Sequence, residues 1–258
     1  MPGTPPVEVS APTKWYVGFD CATKTFAFSI SKVDLRTATA RARIKEQTLA
    51  ALELLRRAKT LAASDPVKAG QLLEKIAPAV DALDAETREF IRIMDGETVD
   101  LVPGVADDDI PTVQRVRAVV RYIKTRVRPA IEKFIPPEEP FRAVVEFQMG
   151  PNAKARVVAS SLITLFAEED VIIVGPSLKN KVHACEEGRL CYFTPRYSSA
   201  YSANKAQAKF NFLKLEEVFG TNIPATKPAS LRGHIADSFM QKIGHIVHGS
   251  EEKAATLF

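Results

Sequence analysis

The stretch WYVGFDCATKTFAFSISKVD, Trp15 to Asp34, limits the fold more than any other part of the chain. Trp15 to Phe19 is an apolar run, and Thr25 to Val33 alternates through Phe26, Phe28 and Ile30. A period of two marks a strand with one face buried. With ATKT between them, the two runs predict an antiparallel hairpin. The first run ends in a carboxylate, Asp20. Asp is an ordinary turn residue, because its side chain bonds backbone two residues on. Its meaning therefore depends on whether other acids occupy matching places.

They do. Phe141 to Val145, behind the Pro-rich IPPEEP, is a second short apolar run, and it ends in Glu146. A third acid, Asp237, stands in SLRGHIADSFMQKIGHIV, where Ile235, Phe239 and Ile243 predict a helix from about Leu231. His234 lies three residues before Asp237, so the two share a helical face. An Asp within a helix has poor propensity and is costly near a core without partners. If the fold gathers these acids, their repulsion either raises their pKa values or is relieved by a cation, and Mg²⁺ suits carboxylate oxygens. Two Mg²⁺ ions about 3.5–4 Å apart form the clamp for phosphodiester displacement, one activating water and the other stabilising the leaving oxygen.

The remaining segments supply the frame. Thr37 to Met94 is rich in Ala, Leu, Glu, Lys and Arg, with Leu49, Leu52, Leu55, Leu72, Leu73, Ile76, Val80 and Leu83 at helical spacing. It predicts a helical hairpin inserted at about 36–94, its second helix started by Ser64, Asp65 and Pro66. ETVDLV, Glu97 to Val102, predicts a third strand, and DDDIPTVQRVRAVVRYIKTRVRPAIEKFI a long helix capped by Asp109. Arg115, Arg117, Arg121, Lys124, Arg126 and Arg128 make that helix basic, and Arg117, Arg121, Lys124 and Arg128 share a face, either solvated or turned to nucleic acid. A helix is expected from Ala153 to Phe166, with Asn152 as cap and Lys154 and Arg156 in its first turn. Val171 to Val174 is expected as a buried strand in a central parallel position. Strands alternating with helices after a hairpin indicate an α/β layered domain.

Bulk properties add only bounds. A length of 258 residues with 46% hydrophobic content allows one sizeable core plus an appendage, and the net charge of +4 mildly favours an acidic partner. Cys21, Cys185 and Cys191 show no paired CxxC spacing, which favours a reducing intracellular compartment. HACEEGRLC, with His183, fits no common zinc pattern. No run approaches the roughly 18 apolar residues of a membrane span, and the opening segment, with Glu8 and no apolar stretch, reads as neither a signal nor a transit peptide. The expected division is a flexible tail over 1–13, one domain over 14–248 and a C-terminal tail over 249–258.

The ordered set GFDCATKTFAFSI, VVEFQMGPNAKARVVASSLITLF, VIIVGPSLKNKV, YSANKAQAKF and GHIADSF resembles the RuvC-type Holliday junction resolvases, particularly the poxvirus-like viral branch. The resemblance covers most of Lys14 to Val247 outside the insertion. It implies an α/β, ribonuclease H-like fold, a five-stranded mixed sheet flanked by helices, with acids binding two divalent cations: Mg²⁺, or Mn²⁺ in its place. Asp20 matches the family's first-strand Asp, Glu146 the Glu ending the fourth strand, and Asp237 the last acid on the C-terminal helix. Where the family has a further acid, this chain has His234, as some bacterial members do. Imidazole is a poor Mg²⁺ ligand but can position or deprotonate water, with an ordinary pKa of about 6.5; a packed surface histidine is the plainer alternative. Ala22 replaces a glycine of the viral relatives, so the turn needs no positive φ.

Lys205 and Lys209 resemble the family's lysines beside the scissile phosphate, and Lys24, Lys154 and Arg156 are further candidate contacts to nucleic acid. Phe147 and Met149 are candidate wedges for an opened junction centre, with core packing as the alternative. The implied activity is symmetric nicking of four-way DNA junctions by a homodimer with one active site per subunit, in recombination, repair or viral genome replication. Actin- and hexokinase-like ATPases need glycine-rich phosphate loops, and this chain has no Gly-Gly pair, so no nucleotide cofactor is expected; the lack of a long apolar run leaves no membrane partner expected either. Two alternatives stay open: a related nuclease for other branched DNA or structured RNA, and a junction-binding protein in which His234 marks a lost ligand.

Overall fold

A computed structural model describes residues 14–33, 91–147, 153–176, 178 and 229–248, with parts of 42–75. The elements are β1 (Lys14–Cys21), β2 (Thr25–Val33), β3 (Ile91–Asp100), α1 (Thr112–Tyr122), α2 (Arg128–Phe134), β4 (Phe141–Glu146), α3 (Ala153–Leu165), β5 (Asp170–Val174) and α4 (Ala229–His248). The strands form one sheet in the order β3-β2-β1-β4-β5. β1, β2 and β3 pair antiparallel, while β4 runs parallel to both β1 and β5. This is the five-stranded mixed sheet expected of a ribonuclease H-like domain.

Strand alternation divides the core in two. Trp15, Val17, Phe19 and Cys21, with Phe26, Phe28, Ile30, Ala143 and Val145, pack against Val119, Ile123, Val127, Ile131, Val158 and Leu162. Tyr16, Ala27, Val33, Val144 and Ile91 face the other way, onto Ile235, Phe239, Met240, Ile243 and Ile246 of α4. Helices thus cover both faces, and among the described residues α4, with Leu178 beside it, covers the second.

Several expectations are corrected. β3 begins at Ile91, so Ile91 to Met94 belong to the sheet and not to the insertion, and it ends at Asp100. β5 is parallel as expected but is an edge strand rather than a central one, with Ile173 exposed; a short apolar run specifies a strand but not how many neighbours it has. Asp109 is not a cap: Asp107–Asp109 form a separate 3-10 turn, and α1 starts after Pro111 with no side-chain cap. The long helix is interrupted by a π-helical turn, Ile123–Val127, where the Arg128 N–H reaches Ile123 O. Pro129 has no N–H for the carbonyl of Thr125, and a widened turn accommodates that loss. In the insertion, Asp65 caps as expected, accepting from the Lys68 N–H at 2.9 Å. The two tails, Asn152, Met149, His183, Cys185, Cys191, Lys205 and Lys209 lie outside the described residues.

The basic helix is only partly a charged surface. Arg115 is buried and donates to the carbonyls of Thr23, Asp107 and Ile110 and to Asp107 Oδ1. Burial alone would raise Asp107, but hydrogen bonds from Arg115 and Thr23 and the charges of Arg115 and Lys154 hold it below the ordinary carboxylate range. Arg126 pairs with Glu97 and Asp95, at 2.5 and 3.1 Å. Arg128 pairs with Glu169 and covers the Phe166 ring. Arg117, Arg121 and Lys124 remain exposed.

The approach of α4 to the sheet is close at one point. Gly18 lies directly beneath Ser238 and Lys242: a Cβ there would come 2.6 Å from Lys242 Cγ and would clash with the Ser238 carbonyl oxygen. Lys242 is fully buried, donating to Ser29 O at 2.8 Å and Ser31 Oγ at 2.6 Å. Burial pushes its amine well below the ordinary lysine range. The unfolded chain therefore holds that proton to about pH 10.4 while the folded chain releases it earlier, so this group's contribution to stability rises with pH between the two values. Wild type is expected to gain stability relative to Lys242→Met as thermal melts move from neutral pH towards about 10; parallel curves would show an unperturbed amine.

Candidate active site

β1 and β4 deliver the first two acids side by side. Their parallel register pairs Phe19 with Val145, and Asp20 and Glu146 are the next residue on each strand. Alternation puts both on the α4 side: Asp20 lies opposite Ala27, and Glu146 is two residues past Val144, both of that core. Both are buried. The neighbouring Cys21 senses them: burial pushes its thiol up first, and the charges of Asp20 and Glu146 push it further.

α4 lays a matching stripe over them. His234, Asp237 and Gln241 are spaced three and four residues apart, so they share one face. His234 Nδ1 lies 2.6 Å from Asp20 Oδ2, and its Nε2 lies 2.9 Å from Thr25 Oγ1. An ionised Asp20 only accepts, so Nδ1–H donates to it; with the ring neutral, Nε2 is then the acceptor for the Thr25 hydroxyl. Gln241 Nε2 donates to Glu146 Oε2 at 2.5 Å. Asp237 is buried, one turn from each of its stripe neighbours. The fold thus brings Asp20 against His234 and places Asp20 and Glu146 at adjacent strand ends beneath the helix that carries Asp237.

Among the described residues, no three of His, Cys, Asp and Glu already surround one point as a metal site would. The donors are nonetheless of the right kind for a hard cation, carboxylate oxygens on adjacent strand ends. Gln241 Oε1 is also buried without a hydrogen-bond partner among the described residues. In donor chemistry these residues suit Mg²⁺, but they do not already surround one point. His234 is engaged through both ring nitrogens, so a metal at Nε2 has to displace Thr25.

The basic candidates are less collected. Lys24 pairs with Asp100 at 3.1 Å and Lys154 with Asp108 at 2.8 Å. Pairs that water can reach in this way contribute about 0–1 kcal/mol, so a phosphate can replace the carboxylate. Arg156 is exposed on α3, beside Val157, Ser160 and Thr164. Phe147 is partly buried against the first core, and its N–H donates to Val174 O. The Ala22 turn has no positive φ, as its alanine requires.

Two residues of the site are not evident from sequence alone. Gln241 follows Asp237 by four positions, a signal available from helical spacing, and Thr25 marks in sequence only the start of a strand.

No protein-family model matches the chain, and no curated protein matches it. Among solved structures, the chain is similar to Thermus thermophilus RuvC, at 13% identity and a TM-score of 0.43 over 92% of this chain and 97% of that one.

Proposed function

We propose that this chain is a Mg²⁺-dependent nuclease of ribonuclease H-like fold that nicks four-way DNA junctions, a Holliday junction resolvase. The observation carrying this reading is the pair Asp20 and Glu146 at the ends of adjacent parallel strands, beneath a helix face bearing His234 and Asp237. The ordered sequence motifs supply the junction as substrate. Asp20, Glu146 and Asp237 are the residues that would hold the cations, which when bound activate water and offset charge on the leaving oxygen.

The chain's own groups divide the remaining work. His234 orients Asp20 through Nδ1, and taking a proton at Nε2 requires Thr25 to rotate its hydroxyl away. Lys205 and Lys209 are assigned to the scissile phosphate, and Lys24, Lys154 and Arg156 to the DNA backbone. Contacts of that kind fix position rather than sequence, so binding should weaken steeply with salt. Two strands cut symmetrically call for a two-fold homodimer, working in a reducing intracellular compartment.

A second reading, a junction-binding protein that does not cut, has one observation in its favour: both nitrogens of His234 are already engaged. The test is wild-type protein on labelled four-way junctions, flaps, linear duplex and structured RNA in Mg²⁺ or Mn²⁺, with junction binding measured in Ca²⁺. Paired symmetric nicks in the junction are expected. Cutting confined to flaps or RNA would replace the substrate, and binding with no cutting in either metal would establish the second reading.

A further inference from the structure

We infer that Gln241 is a positioning residue for Glu146, its amide holding Glu146 Oε2 in place for a cation bound at the ends of β1 and β4. The inference rests on Glu146 being a cation ligand, as proposed above.

Gln241 is fully buried on α4, a helix whose Phe239, Met240 and Ile243 are buried as well. An amide in such surroundings is costly unless it is hydrogen-bonded, and an apolar side chain of the same length would fill the space without that cost. What it does there is donate to a carboxylate that is itself 2% exposed, over 2.5 Å. Hydrogen bonds to an ionised group are short and strong and fix geometry. An amide also supplies this donor without charge: a lysine in its place would compete with a cation for Glu146, and a glutamate would repel Glu146.

The other end of the same side chain points to the same conclusion. Gln241 Oε1 is buried and has no hydrogen-bond partner among the described residues. Buried acceptors are rarely left so, and each calls for an explanation. Water brought in on a hydrated cation is a donor that would satisfy it, since Mg²⁺ keeps several of its waters. One side chain thus offers a donor to the ligand and an acceptor to the hydration shell, one helical turn beyond Asp237.

Gln241→Met conserves length and removes both amide atoms. Three quantities are measured on the full chain: the thermal midpoint, Mn²⁺ affinity by calorimetry without DNA, and nicking as a function of Mn²⁺ and of junction concentration. The variant is expected to melt somewhat below wild type, because a buried carboxylate loses a donor, and to bind Mn²⁺ about 10–100-fold more weakly. It should need correspondingly more Mn²⁺ to nick, with the KM for junction unchanged. A folded variant with wild-type Mn²⁺ affinity would overturn the inference. Should Gln241→Met melt far below wild type, Gln241→Asn, which keeps the amide but withdraws it by one methylene, decides by the same titration. Glu146→Gln is measured in parallel: if it binds Mn²⁺ as wild type does, the site reading itself fails, independently of Gln241.

Discussion

Asp20→Asn is expected to bind a four-way junction in Ca²⁺ as wild type does and to nick it at least about a hundredfold more slowly in Mg²⁺. The substitution changes charge but hardly changes shape. An asparagine Oδ1 still accepts from His234 Nδ1–H, so the ring keeps its orientation against Thr25. Val17 and Phe19 remain in the opposite core, so the strand keeps its packing. What disappears is a full negative charge beside Glu146, and a neutral amide oxygen is a weak substitute for carboxylate toward Mg²⁺. Loss of cutting with binding intact therefore isolates charge from structure. Nicking within tenfold of wild type would remove Asp20 from the chemistry.

Gly18→Ala is expected to lower the melting temperature by several degrees and nicking with it. The added methyl would meet the Ser238 carbonyl and the Lys242 stem, and the carbonyl belongs to a helix backbone that cannot move alone. Overpacking of this kind costs typically 1–3 kcal/mol, or roughly 2–4 °C per kcal/mol for a chain of this size. Relief comes only by lifting α4, which carries His234, Asp237 and Gln241 off the strand ends together. Gly70→Ala is the control, since nothing lies within 4 Å of its added Cβ. Wild-type melting for Gly18→Ala would refute the close approach of helix to sheet.

The hairpin and both strand-end acids were legible because a period of two and a carboxylate closing an apolar run are local features. The edge position of β5 and the fate of Arg115 were not. Edge or centre depends on what pairs beside a strand, and Arg115 looked like one more surface cation until the β1–β2 turn and Asp107 closed around it. Asp109 failed as a cap for a similar reason, since the acids before α1 form a turn of their own, tied down through Asp107. Gln241 escaped notice because an amide is chemically unobtrusive; only its contact with Glu146 gives it meaning.

The His234 to Asp20 contact spans 214 positions of sequence. A chain emerging from the ribosome can pair β1 with β2 and later with β4, setting two carboxylates side by side, long before α4 has been made. Until that helix docks, neither His234, Asp237 nor Gln241 is in place. Under the proposed function, competence to cut is then the last property the molecule would acquire, and unfinished or C-terminally clipped copies would be without it.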